Sequence, residues 1–477
     1  MSRSRLTATG VILFAAAAVH AQTVAPVRLR AGAHKVSFTP NQSELQISTD
    51  SIRDPLFARA IVVDDGSTCA VLVSIDLGAA PNQIVDDAIS RASKSTGCPV
   101  PNFIISATHT HSSNTQGLGQ GPPNARTVAD AIVEAATVAK SRLAPARVAY
   151  GMTKIDLNVN RDLFNRKFEW RQEPNPEGPS DKTLAMVEIL GDDNVPIGVY
   201  TNYAMHPINF YLSGVISADF PGEASRYIED LFDNRAVAIF SQGASGDQNP
   251  RDFRSPTTFM GQRSALTAGL GPFIQRIGEP PAQDGSSPGG FNAQRSSAER
   301  QAIPSENLDA YKKVLARTGD YVRMLGSVIG SSAVRVMRES MQPTGTARIW
   351  AAQETFSCPG RVRLDADNPA RENVFPGYKD GPDVNLKVGL LRIGDIHFVT
   401  VNGEVYSEIA SRLKAEAPAS RTMVVTLANG SANAGYIYSD AAYSHLTFQV
   451  IGSRLKPGCA EGRIVSTAID LMRRSGQ

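Results

Sequence analysis

For most of its length the chain alternates between short apolar runs and longer stretches with helical spacing, and that alternation limits the folds open to it. "ARAIVVDD" (58–65) and "CAVLVSIDLG" (69–78) are two strands joined at the turn Asp65-Gly66-Ser67. "NQIVDDAISRAS" is helical, "NFIISATH" is a buried strand, and "ARTVADAIVEAATVAKSRL" is an amphipathic helix with Val128, Ile132, Ala135 and Val138 on one face. Further strands are expected at "ARVAYGMTKIDLN", "TLAMVEIL", "PIGVYTNYAM" and "AVAIFSQ", and "PGEASRYIEDLF" opens a helix with Pro221 near its first turn. After a long helix from about Ser305 to Met341, strands return ("VGLLRIGDIHFVTVNG"). A helix after Glu404, a strand at "TMVVTLANG" and a closing helix complete the pattern. Strands so continuously apolar need cover on both faces. The expected class is α/β, with mixed sheets covered by helices in a single large domain spanning 22–477.

Two segments stand apart. Residues 1–21 combine Arg3 and Arg5 with an apolar run from Val11 to Val19 and small residues before Ala21, the pattern of a secretory signal cleaved after Ala21. The run is shorter than the roughly 20 residues a spanning helix needs. The second is residues 255–303, rich in Gly, Pro, Ser and Gln, which reads either as a lid over a site or as a disordered insert.

Charge excludes some functions. The 48 basic side chains less Arg3 and Arg5 equal the 46 acidic ones, so the mature chain has no net charge to attract nucleic acid or more than a peripheral contact with a membrane surface. Export to a secreted or periplasmic location suits an even number of cysteines. Pairing Cys69 with Cys98 and Cys358 with Cys459 would join neighbouring elements; buried free thiols are the alternative.

Chemistry concentrates where strands end. The chain has only seven histidines, and His109 and His111 follow directly on "FIISAT". On an extended strand, residues two apart share a side, so both imidazoles aim together. Such a pair binds a metal, or one binds it while the other moves protons; hydrogen bonding to loops is the plain alternative. His206 ends a second strand ahead of Pro207. "FSQGASGDQNP" runs from a strand into small residues that let backbone approach a ligand, but Asp247 stands where a nucleophile elbow needs Gly. Glu404 opens a helix after Gly403, placed either as a metal ligand or as an ordinary N-terminal charge.

Taken in order, "LFARAIVVDD", "VSIDLG", "SATHTH", "NVNR", "SGDQNP", "NGEVYSEIA" and "GYIYSDAAY" resemble the catalytic domain of the neutral (non-lysosomal) ceramidases, zinc amidases that hydrolyse ceramide. The resemblance spans roughly residues 30 to 470. It implies zinc held by His109, His206, Glu404 and Tyr436, with His111 beside the metal, Arg161 holding the reacting group, and Asp247 and Asn249 shaping the adjoining loop. Asn249 departs from the family, which has a serine there. The family's later tyrosine is replaced near Phe448, its C-terminal immunoglobulin-like domain is missing, and the 255–303 insert is foreign to it. With no hydroxyl at 249, water activated by zinc is the expected nucleophile. The expected activity is hydrolysis of an N-acyl amide in a small-molecule or lipid substrate. An esterase on the same site and a binding protein without catalysis are the alternatives, and sequence leaves the oligomeric state unknown.

Overall fold

The computed structural model describes residues 28–45, 47–113, 123–266, 302–366 and 371–476. The first part of the chain runs β1 (Arg30–Ser37), β2 (Ser51–Ile52), β3 (Phe57–Asp64), β4 (Cys69–Ile75), α1 (Asn82–Thr96), β5 (Phe103–Ala107), α2 (Ala125–Ser141), β6 (Ala144–Lys154), β7 (Asn158–Phe164) and β8 (Trp170–Asn175). Then come β9 (Thr183–Gly191), β10 (Pro196–Tyr203), β11 (Val215–Ile216), α3 (Asp219–Leu231), β12 (Val237–Gln242), β13 (Gln248–Pro250), α4 (Phe259–Leu266) and α5 (Leu308–Glu339). The last part contains β14 (Ile349–Arg363), β15 (Tyr378–Ile393), β16 (Ile396–Val401), β17 (Glu404–Val405), α6 (Ser407–Glu416), β18 (Thr422–Val425), β19 (Tyr436–Ile437), α7 (Phe448–Gly452) and α8 (Ala460–Ser475).

An eight-stranded mixed sheet, ordered β12-β10-β9-β6-β1-β3-β4-β5, faces a four-stranded sheet ordered β14-β15-β16-β18. Alternation along single strands shows the layering. In β3, Ala60 and Val62 face the core under α1 and α2, while Ile61 and Val63 face Leu391, Ile393 and Phe398 of the second sheet. Helices α3 and α5 continue the outer layer over β9, β10 and β12. The far side of the second sheet is covered by α6 and α8. The molecule is therefore layered helix, sheet, sheet, helix. Mixed sheets under helices are as expected, with one difference: each sheet has helices on one face and the other sheet on its second. A strand's apolar residues report burial, not what buries them.

Both disulfides pair as the sequence suggested. Cys69–Cys98 ties β4 to the segment before β5, and Cys358–Cys459 ties β14 to the start of α8, with Cα separations of 5.2 and 5.7 Å. The Gly/Pro/Ser-rich stretch begins in order: α4 packs Phe259 and Leu266 against Tyr311 and Val314 of α5. Residues 267–301, the rest of the expected lid or insert, and the expected signal at 1–21 lie outside the described residues. No helix among the described residues is long and apolar enough to cross a membrane.

Candidate metal centre

The large sheet curls until its ends meet. Ser74 Oγ on β4 donates to Phe240 O on β12 at 2.7 Å, although the two strands lie far apart in the strand order. The loops after β5 and β10 thereby become neighbours. Gln242, the last residue of β12, fastens them: its Nε2 donates to Thr108 O (3.0 Å) and to Met205 O (2.8 Å).

His109 and His111 do not converge by strand geometry, as expected from their spacing. β5 ends at Ala107, and His109 has φ +69°, in the left-handed region that non-glycine residues seldom enter. Its backbone N–H donates to Leu77 O and its Nδ1 is hydrogen-bonded to Gly78 O, so the segment after β4 fixes both main chain and ring. His206 is fixed alike, with backbone N–H and Nδ1 both directed at Gln248 O (3.0 and 3.1 Å). A ring that donates from Nδ1 to a carbonyl presents Nε2 as a lone pair, the second-shell pattern of metal-binding histidines.

Those lone pairs meet at one place. His109 Nε2 and His206 Nε2 each lie 3.3 Å from Glu404 Oε2, and His111 Nε2 lies 3.3 Å from His109 Nε2. The ligand nitrogens of the three histidines all lie within 4.8 Å of one another. Ligands at 2.0–2.2 Å around a tetrahedral ion are spaced about 3.3–3.5 Å apart, so these separations suit one cation. Burial pushes His206 down to about 3, with the nearby Arg161 charge adding to the effect, so its ring is neutral at physiological pH. Burial and the other two imidazoles also hold His111 well below the usual histidine range. Burial alone would raise Glu404, but His109 and His206 override it and keep the carboxylate ionised. A carboxylate oxygen and imidazole nitrogens facing one another at this spacing are a donor set suited to a positive ion.

Glu404 and Tyr436 arrive together from the second layer, paired in parallel as β17 and β19. The Tyr436 phenol is well above its ordinary pKa through burial and the Glu404 charge, opposed by Arg161. Arg161 Nη2 donates to Tyr436 Oη (3.0 Å) and to Gly246 O (2.7 Å), and Nη1 donates to Asn249 Oδ1 (3.2 Å). Arg161 and Asn249 are thus one unit beside the phenol. Asp247 faces elsewhere. Its Oδ1 accepts from Ser407 N (2.8 Å), and its Oδ2 accepts from Ser407 Oγ (2.8 Å) and Asn160 Nδ2 (2.9 Å). Burial raises it to about 7. It anchors α6 behind Glu404. Sequence reasoning missed Gly78 and Gln248, which act through backbone carbonyls, and Gln242, whose only sequence signal was its position at a strand end. A cavity of about 820 Å³ opens nearby, lined by Asn402, Ser453 and Arg361 among others, but by none of the residues around the imidazoles.

Fold and site together define a layered α/β protein with a buried histidine cluster at its strand ends that could hold a metal ion. The chain belongs to the neutral/alkaline non-lysosomal ceramidases: the model of that family's N-terminal region matches residues 41–348. His109, His111, Arg161, His206, Asp247 and Asn249 fall inside that match; Glu404 and Tyr436 lie beyond it. Among solved structures, the neutral ceramidase of Pseudomonas aeruginosa is 16% identical, with a TM-score of 0.65 over 94% of this chain and 75% of that one. A ceramidase complexed with C2 is 17% identical, again with a TM-score of 0.65, over 94% and 76%. Family membership makes the chain a hydrolase of the amide-cleaving kind.

Proposed function

We propose that this chain is an exported zinc-dependent amidase cleaving the amide of a ceramide-like or other N-acyl lipid. The observation that carries the reading is the recurring 3.3 Å spacing of Glu404 Oε2 and the imidazole Nε2 atoms. His109, His206, Glu404 and Tyr436 would hold the ion, and the two nitrogens with a carboxylate suit zinc. Zinc there would supply Lewis acidity, toward a substrate carbonyl and toward a water, whose pKa such an ion lowers from 15.7 to about 7.

The chain's own groups do the rest. His111 is neutral when it meets the substrate, so it takes the proton of the attacking water and returns it to the leaving nitrogen. Arg161, held by Gly246 O and Asn249 Oδ1, steadies the phenol and donates to the developing oxyanion. Asn249 has no hydroxyl to acylate, so attack is by water. The two disulfides suit an oxidising compartment, and residues 1–21 serve as the export signal.

The test is elemental analysis of the purified protein together with a panel of N-acyl and O-acyl substrates of equal chain length. The expected result is one zinc per chain, loss of turnover on chelation with recovery on added zinc, and cleavage of the N-acyl series. Turnover that survives in the His109→Ala, His206→Ala double variant would sink the reading. Cleavage confined to O-acyl substrates would convert it to an esterase.

A further inference from the structure

Eleven large apolar side chains stand exposed among the described residues, and six of them come from three short segments: Phe164, Phe168, Leu364, Val374, Phe375 and Tyr443. These segments are tied to one another. Phe164 and Phe168 have ring centroids 6.3 Å apart across the β7–β8 turn. Asn373 Nδ2 donates to Trp170 O at 2.8 Å, bringing the loop with Val374 and Phe375 onto β8. Leu364 N donates to Gly377 O at 3.1 Å, and Arg361 lies over both Tyr378 and Tyr443.

The turn is built against its own stability. Asn165 Oδ1 accepts from Lys167 N and Glu169 N, which closes the loop and leaves Phe168 at φ +60°. Glycine or asparagine suits that backbone, and a bulky ring is strained there. The ring is nonetheless 83% exposed, and its contact with Phe164 is all the ring packing among the described residues that offsets the strain.

We infer that this patch is a docking surface for a lipid bilayer carrying anionic headgroups, and the inference rests on the lipid amide reading above. Charge and position favour that occupant. Arg166, Lys167 and Arg371 are exposed beside the aromatic side chains, and none forms an ion pair with another described residue. Of the acids nearby, Glu169, Asp365 and Asp380 are paired with Arg171, Arg363 and Lys456, leaving Glu173 and Glu372. Aromatic rings flanked by Lys and Arg are the composition that lodges at a membrane–water interface. The patch also leads to the metal pocket. β7 carries Phe164 at its outer end and Arg161 three residues inward, about 10 Å along a strand. Trp170 stacks on His445 at 3.9 Å, and His445 Nδ1 is bonded to Asp162 at 3.0 Å, so the hairpin's outer and inner ends are braced together. Docking here sets Arg161 near the depth at which a lipid's amide lies.

The experiment is flotation of the full chain with vesicles of phosphatidylcholine, with and without phosphatidylglycerol. Alongside it, hydrolysis of a water-soluble short-chain N-acyl substrate reports on folding and on the pocket. The wild-type chain should float with the anionic vesicles. Phe168→Ser with Phe375→Ser should lower the bound fraction by about tenfold or more, with soluble-substrate hydrolysis held within about twofold. Arg166→Glu with Lys167→Glu should abolish the preference for phosphatidylglycerol. A wild-type chain that stays unbound, or a double phenylalanine variant that floats as well as wild type, overturns the proposal; equal binding to both vesicle types overturns its charge component. Lack of soluble-amide hydrolysis by the wild type would count against the amidase reading alone, since flotation still decides the docking surface.

Discussion

Two buried polar clusters lie on either side of the Ile75–Gly78 segment, and they are built on opposite principles. Below it, Arg59 (2% exposed) bonds to Asp76 at 2.8 Å and Glu229 at 3.3 Å, while Lys35 reaches Glu229 at 2.6 Å. Two cations meet two anions, and the sum is zero. Above it, the Glu404 carboxylate meets His109 and His206 at 3.3 Å, and the buried Arg161 guanidinium shares its surroundings. The first cluster pairs its charges with one another and holds β1, β3 and α3 together. The second gathers three imidazoles whose ligand nitrogens lie within 4.8 Å of one another, a group that could hold a metal ion. A buried charge is thus no sign of function by itself; imidazoles converging on one are.

The largest test removes the imidazole cluster. His109→Ala with His206→Ala should cut turnover by more than about 10³-fold and abolish bound metal, while thermal unfolding of the metal-free protein changes little. Next, Arg59→Met should leave two carboxylates buried beside Lys35 and cost about 3–5 kcal/mol of stability, read by denaturant unfolding, with metal per folded molecule unchanged. If the two variants exchanged phenotypes, the contrast would collapse.

Asp219 is an intermediate case that sharpens the comparison. It is buried at φ +53° and accepts hydrogen bonds from Asn209 N, Asn209 Nδ2 and Phe220 N without an ion pair. Burial pushes its pKa up to about 6. The folded state therefore holds this proton more tightly than the unfolded chain, whose pKa is about 3.9. Its stabilising contribution is complete below pH ~4 and is lost as pH rises through about 6, up to about 3 kcal/mol in all. Asp219→Asn should flatten the unfolding free energy across that window. The smallest effect is expected at Asn249→Ala, which frees Arg161 Nη1 and should lower kcat about tenfold with KM nearly unchanged.

Much of this was legible in the sequence because rare residues sat at strand ends. His109 and His206 stood out by type and place, Glu404 was open between two readings, Tyr436 entered only through the family resemblance, and the apolar periods located β3 to β5 and α1 to α2. The face-to-face sheets were not legible: Ile61 and Val63 look the same whether a helix or a strand covers them. Nor was the left-handed turn at His109, since spacing alone cannot reveal a backbone angle. Gly78 and Gln248 act through carbonyls that every residue possesses. The aromatic side chains from Phe164 to Phe375 read as ordinary apolar positions until the fold left them outside.

The two layers contribute unequally in time as well as in space. The three imidazoles come from the first half of the chain, whereas Glu404 and Tyr436 belong to β17 and β19. A growing polypeptide therefore cannot finish the pocket until nearly all of it has been made. An ion that needed Glu404 as well as the imidazoles would be bound only once that point was reached, a checkpoint against chemistry by half-finished molecules.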